Sequence, residues 1–191
     1  MSEKKEKKKR EYKGRYSYLN DFKLNDANEY EYQGNVFELE QKEAEYKPLF
    51  QRVFLYLIGN TVMLLVAGFV PFQGMVGAFY VFIPYVLEIL FLGLLFNAFL
   101  VMRESAVIRE YKYKKSYKRV QFYGGALMGN HIFAFATAVI FILIQGADPI
   151  LFSVVYLCTK VVSFFLTKEI TQKLLSLTYK QIQFKKTGEE I

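Results

Sequence analysis

This 191-residue chain has one cysteine, one histidine and four prolines. With Cys158 alone there is no internal disulfide, no CxxC redox pair and no thiolate metal cage. Cys158 sits in an apolar run and reads as a buried thiol. One His, one Cys and one buried acid on separate segments provide no metal-ligand spacing, so neither a metal nor another cofactor is expected. The chain also lacks a serine elbow, an HExxH pair, a phosphate-cradling glycine loop and paired acids in a loop. No enzymatic activity is expected.

Charge is scarcer still where the chain is apolar. Residues 53–102 carry one charged side chain, Glu88. A second long apolar stretch, 126–166, carries Lys160 and, at its turn, Asp148. Four stretches approach the roughly 20 apolar residues that a membrane-spanning helix needs: 53–70, 75–102, 126–143 and 149–166. The expected fold is therefore an all-α integral membrane bundle of four transmembrane helices built as two hairpins. About fifty mixed-charge residues precede the first span, which is expected to act as an uncleaved signal anchor.

The net charge of +7 lies outside these stretches. The first fifty residues hold 11 basic side chains. In the middle segment Arg103, Arg109, Lys112, Lys114, Lys115, Lys118 and Arg119 face only Glu104 and Glu110. The short links at 71–74 and 145–148 have neither Lys nor Arg. Basic residues collect on the cytoplasmic side of short loops, so both termini and the middle loop are expected to be cytoplasmic. This distribution accounts for the charge without nucleic acid. Size and the lack of targeting signals point to a bacterial plasma membrane.

The two hairpins echo each other. Leu57-Ile58-Gly59-Asn60 answers Leu127-Met128-Gly129-Asn130 at an offset of 70 residues. The pairs Gln73-Gly74 and Gln145-Gly146 are offset by 72, as are Glu88 and Lys160. Each charge thus lies 14 residues after its glycine. Tyr113-Lys114-Lys115 loosely echoes Phe184-Lys185-Lys186. A parallel internal repeat, with a pseudo-two-fold axis along the membrane normal, is the expected origin. Two ordinary hairpins sharing turn chemistry are the alternative.

A lone charge in hydrocarbon costs several kcal/mol on the milder insertion scales. Opposite charges at matched depth are most simply partners, so Glu88 and Lys160 are expected to form an intramembrane ion pair. A structural pair that sets hairpin register and a carboxylate that exchanges protons or binds a cation are the two readings. His131 either joins Glu88 in a proton relay or bridges helices as a neutral imidazole. Asn60 and Asn130, each after a glycine, are expected to bond across close helix contacts. Pro84, one turn before Glu88, is expected to free the carbonyl of Tyr80 and bend the second span.

The chain divides on this reading into an N-terminal cytoplasmic segment 1–50, a first hairpin 51–102, a basic loop 103–123, a second hairpin 124–168 and a C-terminal helix and tail 169–191. Residues 1–10 form a Lys-rich charge run suited to anionic headgroups. Residues 30–39 alternate, with Gly34-Asn35 between them, and predict a small β-hairpin. Its register sets Tyr32 opposite Phe37 and Tyr30 opposite Leu39 on one face. An isolated hairpin is only marginally stable, so this face is expected to rest on the bilayer interface, the helix extensions or a partner protein. A linker helix is expected from Glu40, with Pro48 in the first turn of the first span. The second span is expected to continue as helix toward Tyr117. Ile170, Leu174, Leu177 and Ile182 predict that the fourth span continues into the tail.

The expected partners are the lipid bilayer and a protein at the cytoplasmic face, with self-association left open. The content of the cytoplasmic segments, against minimal outer turns, points to a non-enzymatic accessory or scaffolding subunit. The alternative is a small secondary transporter or channel using Glu88 and Lys160 at the midplane.

Overall fold

The computed structural model describes residues 19–24, 29–104, 106–146 and 149–183. The charge run 1–10, Phe184-Lys185-Lys186 and Asp148 lie outside them. The described chain runs β1 (Phe22–Leu24), β2 (Tyr30–Tyr32), β3 (Asn35–Leu39), α1 (Glu43–Phe69), α2 (Gln73–Gly77), α3 (Phe79–Arg103), β4 (Val107–Arg109), α4 (Glu110–Gln145), α5 (Ile150–Leu175) and β5 (Tyr179–Gln183).

Helices α1, α3, α4 and α5 are each long and apolar enough to cross a membrane. Their outer faces carry Leu55, Leu65, Phe69, Phe79, Leu143 and Ile150, all more than half exposed. Their inner faces carry nearly all the buried polar groups, including Asn60, Glu88, His131, Lys160 and Thr167. Apolar outside and polar within is the arrangement of a bundle solvated by lipid. Cys158 belongs to the outer face. The expectation that it is buried fails because it falls beside, not on, the inward stripe of α5.

Helix α1 packs along α5, α5 along α4, and α4 along α3, while α1 touches α3 only lightly. The first hairpin is thus held together mainly through the second. The two turns also differ. Gly146 ends α4 at φ 89°, where a side chain would be strained, and its N–H bonds the Ile142 carbonyl at 2.9 Å. Gly74 instead lies inside the single turn of α2, and its need for glycine is spatial. A Cβ there would come within 2.6 Å of the Phe72 ring and 3.1 Å of Phe141.

The other end of the bundle is closed by a three-stranded antiparallel sheet of order β4-β3-β5. Its central strand pairs Phe37 with both Ile108 and Gln181, and Leu39 with Tyr179. This corrects the expected hairpin over 30–39. The strands form at the expected places but do not pair with each other. Tyr30–Tyr32 pairs with Phe22–Leu24, setting Tyr32 opposite Phe22, and Asn35 begins β3 instead of turning. The reason is that β3 gains two ladders and a core from distant segments. Leu39 joins the apolar core of the bundle, Val36 is buried on the other face of the strand, and Phe37 stacks on Tyr113 of α4 at 4.4 Å. A free-standing hairpin would have neither.

Helix boundaries differ from expectation in the same region. Helix α1 begins at Glu43, with Glu43 and Glu45 favouring its N-terminus, so Pro48 lies in the second turn. The basic segment expected to continue the second span as helix toward Tyr117 is helical from Glu110, but as the first turns of α4, because α3 stops at Arg103. Helix α5 includes Ile170 and Leu174 but ends at Leu175, placing Leu177 in a link and Ile182 in β5.

Candidate intramembrane polar site

Helix α5 carries a polar stripe through an apolar segment: Ser153, Tyr156, Lys160, Ser163, Thr167 and Thr171 recur every three or four residues, and all are buried. That spacing puts them on one helical face. Lys160 is ten residues into α5 and Glu88 nine into α3, so each lies about 14–15 Å from its helix start at 1.5 Å per residue. That depth is near the middle of a hydrocarbon layer about 30 Å thick.

Lys160 Nζ donates to Glu88 Oε2 at 2.5 Å, and both side chains are 1% exposed. Helices α3 and α5 are not lengthwise neighbours in the bundle, so this pair crosses its centre. The ammonium also lies 4.8 Å from the Tyr156 ring centre and 5.5 Å from that of Tyr85. Both rings turn a negative face toward the cation.

On the other side of the carboxylate, His131 Nδ1 of α4 lies 3.2 Å from Glu88 Oε1. The contact is electrostatic, since neither atom completes a directed hydrogen bond. His131 Nε2 lies 3.1 Å from Thr167 Oγ1, which accepts a hydrogen bond from Asn60 Nδ2 at 2.8 Å. A hydroxyl has one proton to give and accepts two. With Asn60 donating to it, Thr167 Oγ1 still has one proton to give and one acceptor position for Nε2, so it serves either imidazole tautomer. The chain Asn60–Thr167–His131–Glu88–Lys160 thus takes a side chain from each of the four long helices.

Asn130, beside His131, points elsewhere. Its Nδ2 donates to the Pro84 carbonyl at 2.8 Å, one turn before Glu88. This ties α4 to α3 at the proline, through the carbonyl of Pro84 itself and not that of Tyr80. Asn60 and Asn130 both cross to the second helix of the opposite hairpin, but at dissimilar points.

The polar chain is enclosed at both ends. Toward the turns, Phe72 stacks on Tyr156 at 4.7 Å and meets Phe141 edge-on at 5.5 Å, within a cluster that includes Ala67, Val81 and Ala138. Toward the sheet, Leu57, Leu92, Leu95, Phe99, Leu127 and Ile170 form the larger apolar cluster. The hydroxyls of Tyr156 and Ser163 are buried in this setting without a hydrogen-bond partner.

No family model, curated protein or solved structure matches this chain.

The site's chemistry therefore rests on its own geometry. Glu88 and His131 present two ligand-type atoms, but the Lys160 ammonium beside them repels a metal cation. Among the described residues no group of three His, Cys, Asp or Glu could hold one. The structure brings together four of the five polar residues read from the sequence: Glu88, Lys160, His131 and Asn60. It sets Asn130 one step away. Sequence reasoning missed Thr167, Tyr156 and Tyr85, although the polar stripe of α5 was a legible signal for the first two. The expected partner-binding residues are largely taken up within the fold. Tyr32 and Leu39 are buried and Phe37 lies under Tyr113, while Tyr30 stays 73% exposed.

Proposed function

We propose that this chain is a non-enzymatic membrane protein, an accessory or scaffolding subunit of a plasma membrane, with its sheet end cytoplasmic. The observation that carries this reading is the enclosure of the Glu88–Lys160 pair between two apolar clusters. A carboxylate that exchanged ions with water would need a path, whereas one locked to a cross-bundle lysine sets the register of two hairpins. The same end of the bundle gathers β3, β4 and β5 from three distant parts of the chain. Such a sheet fixes the cytoplasmic segments into one surface, which suits engagement of another protein. The excess of basic side chains over 103–119 favours an acidic partner.

The test is copurification from native membranes in mild detergent with crosslinking at the sheet end. Tyr30→Ala with Lys180→Glu, both on exposed positions, is expected to abolish a crosslink that Leu143→Ala on the outer bundle face leaves intact. Loss of association in neither variant, or equally in both, would reject the reading.

The continuous polar chain across four helices favours one second reading, a proton-coupled transporter in which the enclosed state is one of two. Proton-coupled flux in liposomes that Glu88→Gln abolishes would establish it in place of the scaffold.

A further inference from the structure

At the sheet end, where α3 gives way to β4 and α4, a cavity of about 330 Å³ is lined by Val101, Glu104, Val107, Ile108, Arg109 and Lys112. That volume lies at the lower end of small-molecule sites. We propose that this cavity binds the phosphate group of an anionic ligand, most simply the headgroup of an anionic phospholipid. The inference rests on the four helices spanning a bilayer, not on the proposed protein partner.

Depth is the first argument. Val101 follows Glu88 by 13 residues on α3, which is about 20 Å along the axis. With Glu88 near the midplane, hydrocarbon ends about 15 Å away and headgroups fill roughly the next 5–7 Å. The cavity therefore opens at headgroup level.

Composition is the second. Val101, Val107 and Ile108 make an apolar wall suited to glycerol and the first acyl carbons. Arg109 and Lys112 supply two cations against one acid, Glu104. The neighbouring acid Glu110 is already engaged, with Oε1 on Lys114 and Oε2 accepting from Asn35 Nδ2 at 3.0 Å.

Arg109 is the third. Its guanidinium lies over the rings of Tyr32 and Phe22, 5.2 and 5.5 Å from their centres, and among the described residues it has no carboxylate partner. Ring contacts hold the plane of a guanidinium and leave its N–H edge for a phosphate. Lys112 Nζ does have a partner, Glu104 Oε2 at 3.1 Å, on a pair that is largely exposed. An entering phosphate competes with Glu104 for Lys112. Removing Glu104 should then strengthen binding, which no purely structural role for that ion pair would predict.

The experiment is native mass spectrometry of the full chain in detergent, titrated with dihexanoyl phosphatidic acid, dihexanoyl phosphatidylcholine and inorganic phosphate. Phosphatidic acid is expected to bind in preference to phosphatidylcholine. Lys112→Gln should weaken it about fivefold, the factor for one basic residue near a membrane surface. Glu104→Gln should tighten it, and Arg109→Gln should weaken it at least as much as Lys112→Gln. Displacement of the lipid by inorganic phosphate at similar concentration supports the phosphate site and assigns it a soluble phosphate compound, whereas failure to displace assigns it the lipid. Equal binding of the two lipids, or no response to Lys112→Gln and Glu104→Gln in protein of unchanged circular dichroism, would overturn the proposal. A chain that stays in solution without detergent rejects the membrane reading separately, before any ligand is added.

Discussion

Removing one member of the central ion pair should unfold the bundle far more readily than removing both. Lys160→Met leaves Glu88 buried with His131 still 3.2 Å from its other oxygen. Glu88→Gln leaves the Lys160 ammonium with no acid in reach, at a depth its stem cannot span to either interface. In soluble interiors the loss of one partner costs about 3–5 kcal/mol, while replacing both by apolar side chains of similar size is often neutral. The structure therefore orders the outcomes. Glu88→Gln falls at the upper end of that range, Lys160→Met at the lower end, and Glu88→Leu with Lys160→Met close to wild type. Adding His131→Leu to Lys160→Met should restore the full penalty, because Glu88 then has neither the ammonium nor the imidazole beside it. At about 2–4 °C per kcal/mol for a chain of this length, single variants should melt roughly 6–20 °C lower. Far-UV circular dichroism during heating, in one detergent throughout, measures this. Additive single and double effects, or single variants within about 1 kcal/mol of wild type by the same conversion, would refute a pair that fixes register.

Thr167→Val removes the group on which Asn60 and His131 both rest. It should destabilise by about 1–3 kcal/mol, the usual cost of orphaning buried polar partners, measured in the same thermal assay. Gly74→Ala drives a methyl group into Phe72 and Phe141 and should lift that lid from Tyr156, raising hydrogen exchange at the turn end while leaving the sheet end unchanged. The Asp21 carboxyl is raised above its ordinary value, first by burial and then by the nearby Glu110. The folded state thus holds that proton more tightly than the unfolded chain, so stability is lost as pH rises from 3.8 through the raised folded value. Protection of the Gln33 amide, which bonds the Asp21 carbonyl at 2.7 Å, should fall over that window and lose its pH dependence in Asp21→Asn.

Some of this protein was legible in one dimension. Four apolar helices follow from run length, since a stretch that avoids charge for some twenty residues has few other uses. Glu88 and Lys160 could be paired from their isolation alone, because each is costly without the other and both stand equally far from a turn. Cross-helix bonds at Asn60 and Asn130 followed from amides set in apolar runs, although not their acceptors. The preceding glycines are not at the contacts: a Cβ would meet nothing within 4 Å at Gly129 and only Leu166, at 3.5 Å, at Gly59. Strand pairing was not legible. Tyr30–Tyr32 and Asn35–Leu39 carry good strand patterns, yet a pattern names a strand and not its partner. The partners lie in short segments, Phe22–Leu24, Val107–Arg109 and Tyr179–Gln183, that have little strand signal alone.

Helix ends were similarly obscure. Helix toward Tyr117 was expected as an extension of the second span, but the chain breaks after Arg103 into β4 and the segment opens α4, where Tyr113 packs on Phe37 and Tyr179. By itself the sequence determined how many helices are long and apolar enough to cross a membrane and which two charges must meet among them, because hydrophobic burial and charge desolvation act residue by residue. Only the tertiary structure decided that the pair spans the bundle diagonally, that Thr167 links two helices to it, and that three remote strands form one sheet. Those outcomes depend on which surfaces approach each other, and contacts between distant segments leave no mark on either segment alone.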